Sequence, residues 1–331
     1  MQAAPRLVGM DTTRTLGSSD IAVSAVGIGC NAFGTRIDAE RTRAVVDAAF
    51  EHGVTFFDTA DSYGRGSSEE LLGAALGPRR DEVVIATKFG MDMGGVNGDD
   101  GGRRGTRSYV RTAVEASLRR LGTDRIDLYQ LHTPDPSTPL EETLGALTEL
   151  VAEGKVRAIG SSNLQAWQVV DADWISRTAG LASFVTAQNE YSLYNRTAEV
   201  ELVPACLDRG IGILPYFPLA YGLLTGKYRR GEGAPAGTRL ELQAGRLRTA
   251  DWDRIEALEG FAAARGISPL DLAIGGLAAQ PAVVSVIAGV TSPEQVAANA
   301  AAAQWVPTPE DLVELAGIGG ASQSYTTFAP R

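Results

Sequence analysis

Eight short apolar runs rich in β-branched residues recur along this chain, at 26–29, 55–58, 83–87, 126–131, 156–161, 185–189, 212–215 and 283–288. Runs of this kind suit strands buried on both faces, as in a parallel sheet. Between them lie stretches with helical spacing, at 38–51, 67–76, 108–121, 140–153, 164–177, 198–209, 270–279 and 293–303. Asp38 stands where an N-cap belongs, and Ser67-Ser68-Glu69-Glu70 is a helix-start signature. Gly53, Gly77, Gly122 and Gly154 each follow a helical stretch, where left-handed backbone is wanted. Eightfold strand–helix alternation predicts an α/β fold, a closed (β/α)8 TIM barrel, with an open doubly wound sheet as the rival. The chain has 331 residues, 44% of them apolar, enough for one such barrel. Ahead of the first run, TRTLGSSDIAVS reads as an N-terminal β-hairpin turning at Gly17-Ser18-Ser19-Asp20. A single domain is expected over 10–320, with 1–9 and 321–331 as flexible termini.

Composition excludes several functions. A net charge of −10 with no Lys/Arg-rich run argues against a nucleic-acid partner. No window resembles a membrane span or a secretory leader, so a cytoplasmic protein is expected. Cys30 and Cys206 are far apart and read as buried small residues. Two histidines without a ligand cluster give no metal site. Gly27-Ile28-Gly29-Cys30-Asn31-Ala32 mimics a dinucleotide fingerprint, but Phe33-Gly34-Thr35 prolongs the loop before any helix begins, so a plain βα loop is expected.

Barrel enzymes carry their chemistry at strand C-termini. Here the second run ends in FFDTADSYG, the third in IATKFG and the fourth in YQLHTPD. Asp58, Tyr63, Lys88 and His132 are therefore expected at one rim. A tyrosine can donate a proton to a developing alkoxide, although its free pKa of about 10 is high for neutral pH. A Lys ammonium beside it is expected to lower that value, and a carboxylate would hold the ammonium in place. Two long segments, 90–105 and 217–249, follow the third and seventh runs and lie on the same predicted face.

At these motifs the chain resembles the aldo-keto reductase family, in the branch that includes bacterial long-loop reductases and potassium-channel β subunits. The segments that carry the resemblance are FFDTADSYGRGSSEELLG, VVIATKFG, IDLYQLHTPD, GKVRAIGSSN, QNEYSLYNR, PYFPLAYGLLTGKY and IAGVTSPEQVAAN. It implies a barrel closed below by the hairpin, with Tyr63 as general acid, supported by Lys88 and Asp58, and His132 positioning the carbonyl. It implies a nicotinamide cofactor lying across the rim: Ser162, Asn163 and Gln188 on the carboxamide, Tyr216 stacked on the ring. Pro218, Leu219, Gly222 and Lys227 belong to the segment over the pyrophosphate, with Lys227 and Arg239 as phosphate charges. Gly289, Thr291, Gln295 and Asn299 match the adenosine end. NADPH is the expected cofactor and NADH the alternative, because Val290-Thr291-Ser292 stands where many relatives carry a cation for the 2′-phosphate. Phe33 and Phe89 are expected to line the substrate pocket.

The expected activity is NADPH-dependent reduction of an aldehyde or ketone. Its rivals are an NAD-dependent sugar or alcohol dehydrogenase running oxidatively, and a cofactor-binding redox-sensing regulatory subunit. The partner expected is a small carbonyl or alcohol, with homo-oligomerisation left open.

Overall fold

The computed structural model describes residues 13–320; the termini 1–9 and 321–331, expected to be flexible, lie outside the described residues. Strands β1 (Thr13–Thr15) and β2 (Ala22–Ser24) form the antiparallel hairpin. Eight parallel strands follow: β3 (Val26–Gly29), β4 (Phe56–Asp58), β5 (Val84–Phe89), β6 (Ile126–Leu131), β7 (Val156–Ser162), β8 (Phe184–Gln188), β9 (Gly212–Ile213) and β10 (Val286–Gly289). Their order is β10-β3-β4-β5-β6-β7-β8-β9. The circle closes through the segments beside β9 and β10: Ile213 N–H donates to the Ala282 carbonyl at 2.7 Å, and Ile287 N–H to the Pro215 carbonyl at 2.9 Å. The (β/α)8 barrel is thus the observed fold, and the open sheet is excluded.

Pleat parity divides the core into two layers. Phe56, Val84, Ala86, Leu128, Ala158, Leu214 and Ile287 point inward and meet Leu16, Ile21 and Val23 of the hairpin, which plugs the barrel. Phe57, Ile85, Phe89, Tyr129 and Ile159 point outward against the helices. Gly17 in the hairpin turn has φ +51°, and a Cβ there would lie 2.0 Å from the Val185 carbonyl oxygen. Only glycine lets the plug seat this close.

The helices are α1 (Ala39–Glu51), α2 (Ser67–Leu76), α3 (Arg107–Leu121), α4 (Leu140–Ala152), α5 (Ala166–Ala179), α6 (Leu202–Arg209), α7 (Ala244–Arg248), α8 (Trp252–Ala264), α9 (Pro269–Asp271), α10 (Pro293–Ala302) and α11 (Pro309–Gly317). Asp38 caps α1 as expected, accepting from Arg41 N–H. The helix predicted at 270–279 is broken in character: α9 runs into a π-helical turn, Leu272–Gly276. There Gly275 and Gly276 press against Trp305, where a Cβ on Gly275 would meet a carbonyl at 2.5 Å. Helices α7, α8 and α11 were not anticipated. No helix among the described residues is long and apolar enough to cross a membrane.

Candidate active site

Register brings the strand ends to one level. Gly29 pairs with both Asp58 and Gly289, Leu131 with Ser161, and Ser162 with Gln188. An isolated bridge joins Tyr216 to Ile287. All four predicted catalytic residues meet at this rim. Lys88 is wholly buried, and its Nζ donates to Asp58 Oδ2 at 2.6 Å, to the Thr59 carbonyl at 2.8 Å and to Tyr63 Oη at 3.4 Å. The Tyr63 and His132 rings meet edge to face, with centroids 5.9 Å apart. Asp58 Oδ1 accepts from Gln188 Nε2 at 2.8 Å and Gln130 Nε2 at 3.2 Å. A buried carboxylate survives this environment because an ammonium and two amides surround it.

The electrostatics refine the expectation. Burial alone pushes the Lys88 pKa down, but the charge and hydrogen bonds of Asp58, with Tyr63, reverse this and leave it raised. The ammonium is therefore fixed as a cation. Tyr63 was expected to have a lowered pKa. Instead burial raises it, Lys88 pulls it back and the Asp58 charge adds to the rise, so the net shift is upward. The phenol thus keeps its proton at neutral pH. Burial, with the nearby Lys88 charge, pushes His132 down to about 3, so its imidazole is neutral. His132 Nδ1 lies 3.5 Å from Ser62 Oγ.

Other predicted residues fall around this centre. Asn163 has φ +60°, its Nδ2 donates to the His132 carbonyl at 2.9 Å and to Ser162 Oγ at 3.1 Å, and its Oδ1 accepts from Tyr216 Oη at 2.8 Å. Gln188, expected on a carboxamide, has its amide nitrogen engaged by Asp58. Thr291 N–H and Oγ1 both donate to Gln295 Oε1, at 2.7 and 3.2 Å, and Asn299 is buried one turn further along α10. Phe33 and Phe89 are corrections. Both are fully buried in the outer layer, and Phe89 stacks on Tyr129 at 4.8 Å. Because Lys88 points into the barrel, its neighbour Phe89 must point away from it.

The segment after β9 folds into a 3-10 turn, Ala220–Thr225, with Phe217, Ala220 and Tyr221 at positive φ. Pro218, Leu219, Gly222 and Lys227 sit in or beside this turn. Arg239 lies 5.1 Å over both the Phe217 and Tyr221 rings, and Arg246 3.6 Å over Tyr221. Burial lowers the Arg239 pKa, and the charges of Arg36 and Arg246 lower it further. Arg36, Lys227, Arg239 and Arg246 form none of the ion pairs among the described residues. Arg36 and Arg246, whose charges act on Arg239, pair like it with no carboxylate among the described residues, which fits an anionic group such as a dinucleotide phosphate. Arg36, Arg246 and Tyr221 were not foreseen, although Arg36 lies in the loop between β3 and α1. No metal-ligating cluster occurs among the described residues.

Comparison with known proteins agrees with this fold. The Aldo/keto reductase family matches residues 25–319. A probable aldo-keto reductase 1 of Glycine max is 36% identical over 309 residues, covering 91% of this chain and 86% of its own. A probable voltage-gated potassium channel subunit beta of Arabidopsis thaliana is 34% identical, covering 91% and 93%. The holo structure of an aldo-keto reductase from Bacillus halodurans superposes with a TM-score of 0.75 at 31% identity, covering 96% of this chain and 98% of that one.

Proposed function

The chain belongs to the aldo/keto reductase family of NAD(P)H-dependent oxidoreductases, and we propose that it reduces an aldehyde or ketone with NADPH, using Tyr63 as general acid. The observation that carries this reading is the buried chain Asp58–Lys88–Tyr63, with the phenol protonated and the lysine held as a cation. When bound, the nicotinamide supplies a hydride. Tyr63 gives its proton to the carbonyl oxygen as negative charge develops there. The Lys88 ammonium stabilises the phenolate left behind, and Asp58 keeps that ammonium charged and aimed. Neutral His132 offers one N–H to the same oxygen without competing as an acid.

For the cofactor, Ser162, Asn163 and the remaining acceptor of Gln188 support a carboxamide site beside the Tyr216 ring. Arg239 and Lys227, joined by Arg36 and Arg246, support the phosphates. Gly289, Thr291, Gln295 and Asn299 remain the proposed adenosine end. NADPH is preferred over NADH because Thr291 and Ser292 offer hydroxyls at the 2′-phosphate position and Arg41, whose Nε donates to the Thr291 carbonyl at 2.8 Å, brings a cation beside them. A single domain over 10–320 and a cytoplasmic location complete the proposal.

A fluorescence titration with NADPH and NADH, followed by a carbonyl screen, tests it. NADPH is expected to bind more tightly, and Arg239→Ala to weaken it by about tenfold or more, as for loss of one charged hydrogen bond. Equal affinity of Arg239→Ala and wild type would remove the phosphate assignment. The channel β subunit likeness motivates a second reading, a redox-sensing regulatory subunit. It predicts the same binding with slow turnover on every carbonyl tried.

A further inference from the structure

Seven of the sixteen residues at 90–105 are glycine. Chain of this composition loses much conformational entropy on ordering, so something must hold it. From 91 to 104 only Met93 and Asn97 are buried. Met93 is the apolar anchor. Asn97 is the polar one: its Nδ2 donates to Asp61 Oδ2 at 2.9 Å, and its Oδ1 accepts from Arg120 Nη1 at 2.9 Å. Arg120 Nε in turn donates to Glu69 Oε2 at 2.7 Å, and Glu69 Oε1 accepts from Thr87 Oγ1 at 2.6 Å. Asp61, Glu69 and Thr87 are all completely buried.

This bridge leads back to the site at both ends. Asp61 lies in the turn that presents Tyr63, and its N–H donates to the Lys88 carbonyl at 3.2 Å. Ser62, between them, has its Oγ 3.8 Å from Met91 Sδ and 3.5 Å from His132 Nδ1. Thr87 directly precedes Lys88. Met91 is where the loop leaves β5, so the loop begins as a wall of the mouth beside His132.

We propose that Asn97 is a positioning residue: it pins the loop tip to the turn carrying Tyr63, so that the substrate wall and the proton donor keep a fixed separation. The role given to Tyr63 rests on the reductase reading above. An amide suits this place for a definite reason. Arg120 pairs with Glu69 and reaches Asp61 only through Asn97 and by its charge, and burial with the Glu69 charge pushes Asp61 up to about 7. An amide gives Asp61 a donor and Arg120 an acceptor while adding no charge. A carboxylate at this position would be a third negative group beside one arginine. A methyl would leave both partners short of a hydrogen bond.

Steady-state kinetics with small and bulky aldehydes, beside limited trypsin digestion at the exposed Arg103, test the proposal. Asn97→Ala is expected to raise KM by about tenfold, to flatten the preference among aldehydes, to leave NADPH affinity unchanged and to speed cleavage at Arg103. Asn97→Asp should be worse. The exchange Asp61→Asn/Asn97→Asp restores an amide–carboxylate pair and should recover both KM and protease resistance, with kcat for the small aldehyde staying near wild type throughout, a KM-against-kcat split that a general loosening of the fold would not show. Wild-type cleavage in Asn97→Ala overturns the clamp whatever the activity, as does an exchange variant no better than Asn97→Asp alone. A wild type inactive on every carbonyl, with faster cleavage still seen in Asn97→Ala, upholds the clamp and overturns the reductase reading instead.

Discussion

Replacing Lys88 by methionine separates what this residue does for stability from what it does for catalysis. The ammonium is wholly buried and makes three contacts, to Asp58, Thr59 and Tyr63. Its loss leaves the Asp58 carboxylate, only 2% exposed, with two amide donors and no cation. Breaking a buried pair in this way costs about 3–5 kcal/mol. Unfolding entropy of about 2.1 cal/mol/K per residue amounts to about 0.7 kcal/mol/K for a chain of this length, so Tm should fall by about 4–7 °C. The double variant Asp58→Asn/Lys88→Met removes both charges and should regain most of that loss. Activity should not return with it, because the phenolate formed in the reaction still lacks its cation. A charged hydrogen bond of about 1.5–3 kcal/mol, if needed only in the transition state, corresponds to a fall in kcat of about ten- to over a hundredfold. Calorimetry and single-turnover kinetics on the three proteins provide the test. A double variant as unstable as Lys88→Met, or a Lys88→Met enzyme with normal kcat, refutes the reasoning.

Two further perturbations follow from the geometry. His132 is held neutral with its pKa at about 3, below the unfolded value of about 6.5, so the unfolded chain binds the extra proton first as pH falls. The stability of His132→Gln relative to wild type should therefore rise as pH drops from about 6.5 to about 4, by up to about 1.4 kcal/mol per pH unit; urea titrations showing a constant difference would contradict the neutral imidazole. Gly17→Ala places a methyl against the Val185 carbonyl at positive φ and should lower Tm without altering cofactor affinity; an unchanged Tm would mean that the hairpin plug is not seated as described.

Much of this was legible in the sequence because parallel barrels write their register plainly. Runs buried on both faces, ended by glycine-capped helices, located all eight strands, and reading strand C-termini first brought Asp58, Tyr63, Lys88 and His132 together. Phe89 was misread although the pleat that turns Lys88 inward sends it outward; the error lay in following sequence adjacency instead of parity. Helix α8 escaped because Ile255, Leu258 and Phe261 share its sequence with alanines that blur the apolar face. Helix α11 carried a visible signal, the Thr308 cap followed by Pro309 and Asp311. The Tyr63 shift was beyond the sequence, because it depends on how completely the rim excludes water. The bridge through Asn97 joins groups from three separate segments, and no local pattern announces it.

The central claim is that Tyr63 supplies the proton. Tyr63→Phe keeps the ring beside His132 and removes only the hydroxyl that Lys88 approaches at 3.4 Å. Measuring kcat and NADPH affinity on the same preparation decides the matter. The kcat should fall by about a hundredfold or more, the usual worth of a positioned general acid, with NADPH binding within about twofold of wild type. Retained turnover with intact binding would place the proton donor elsewhere and contradict the account.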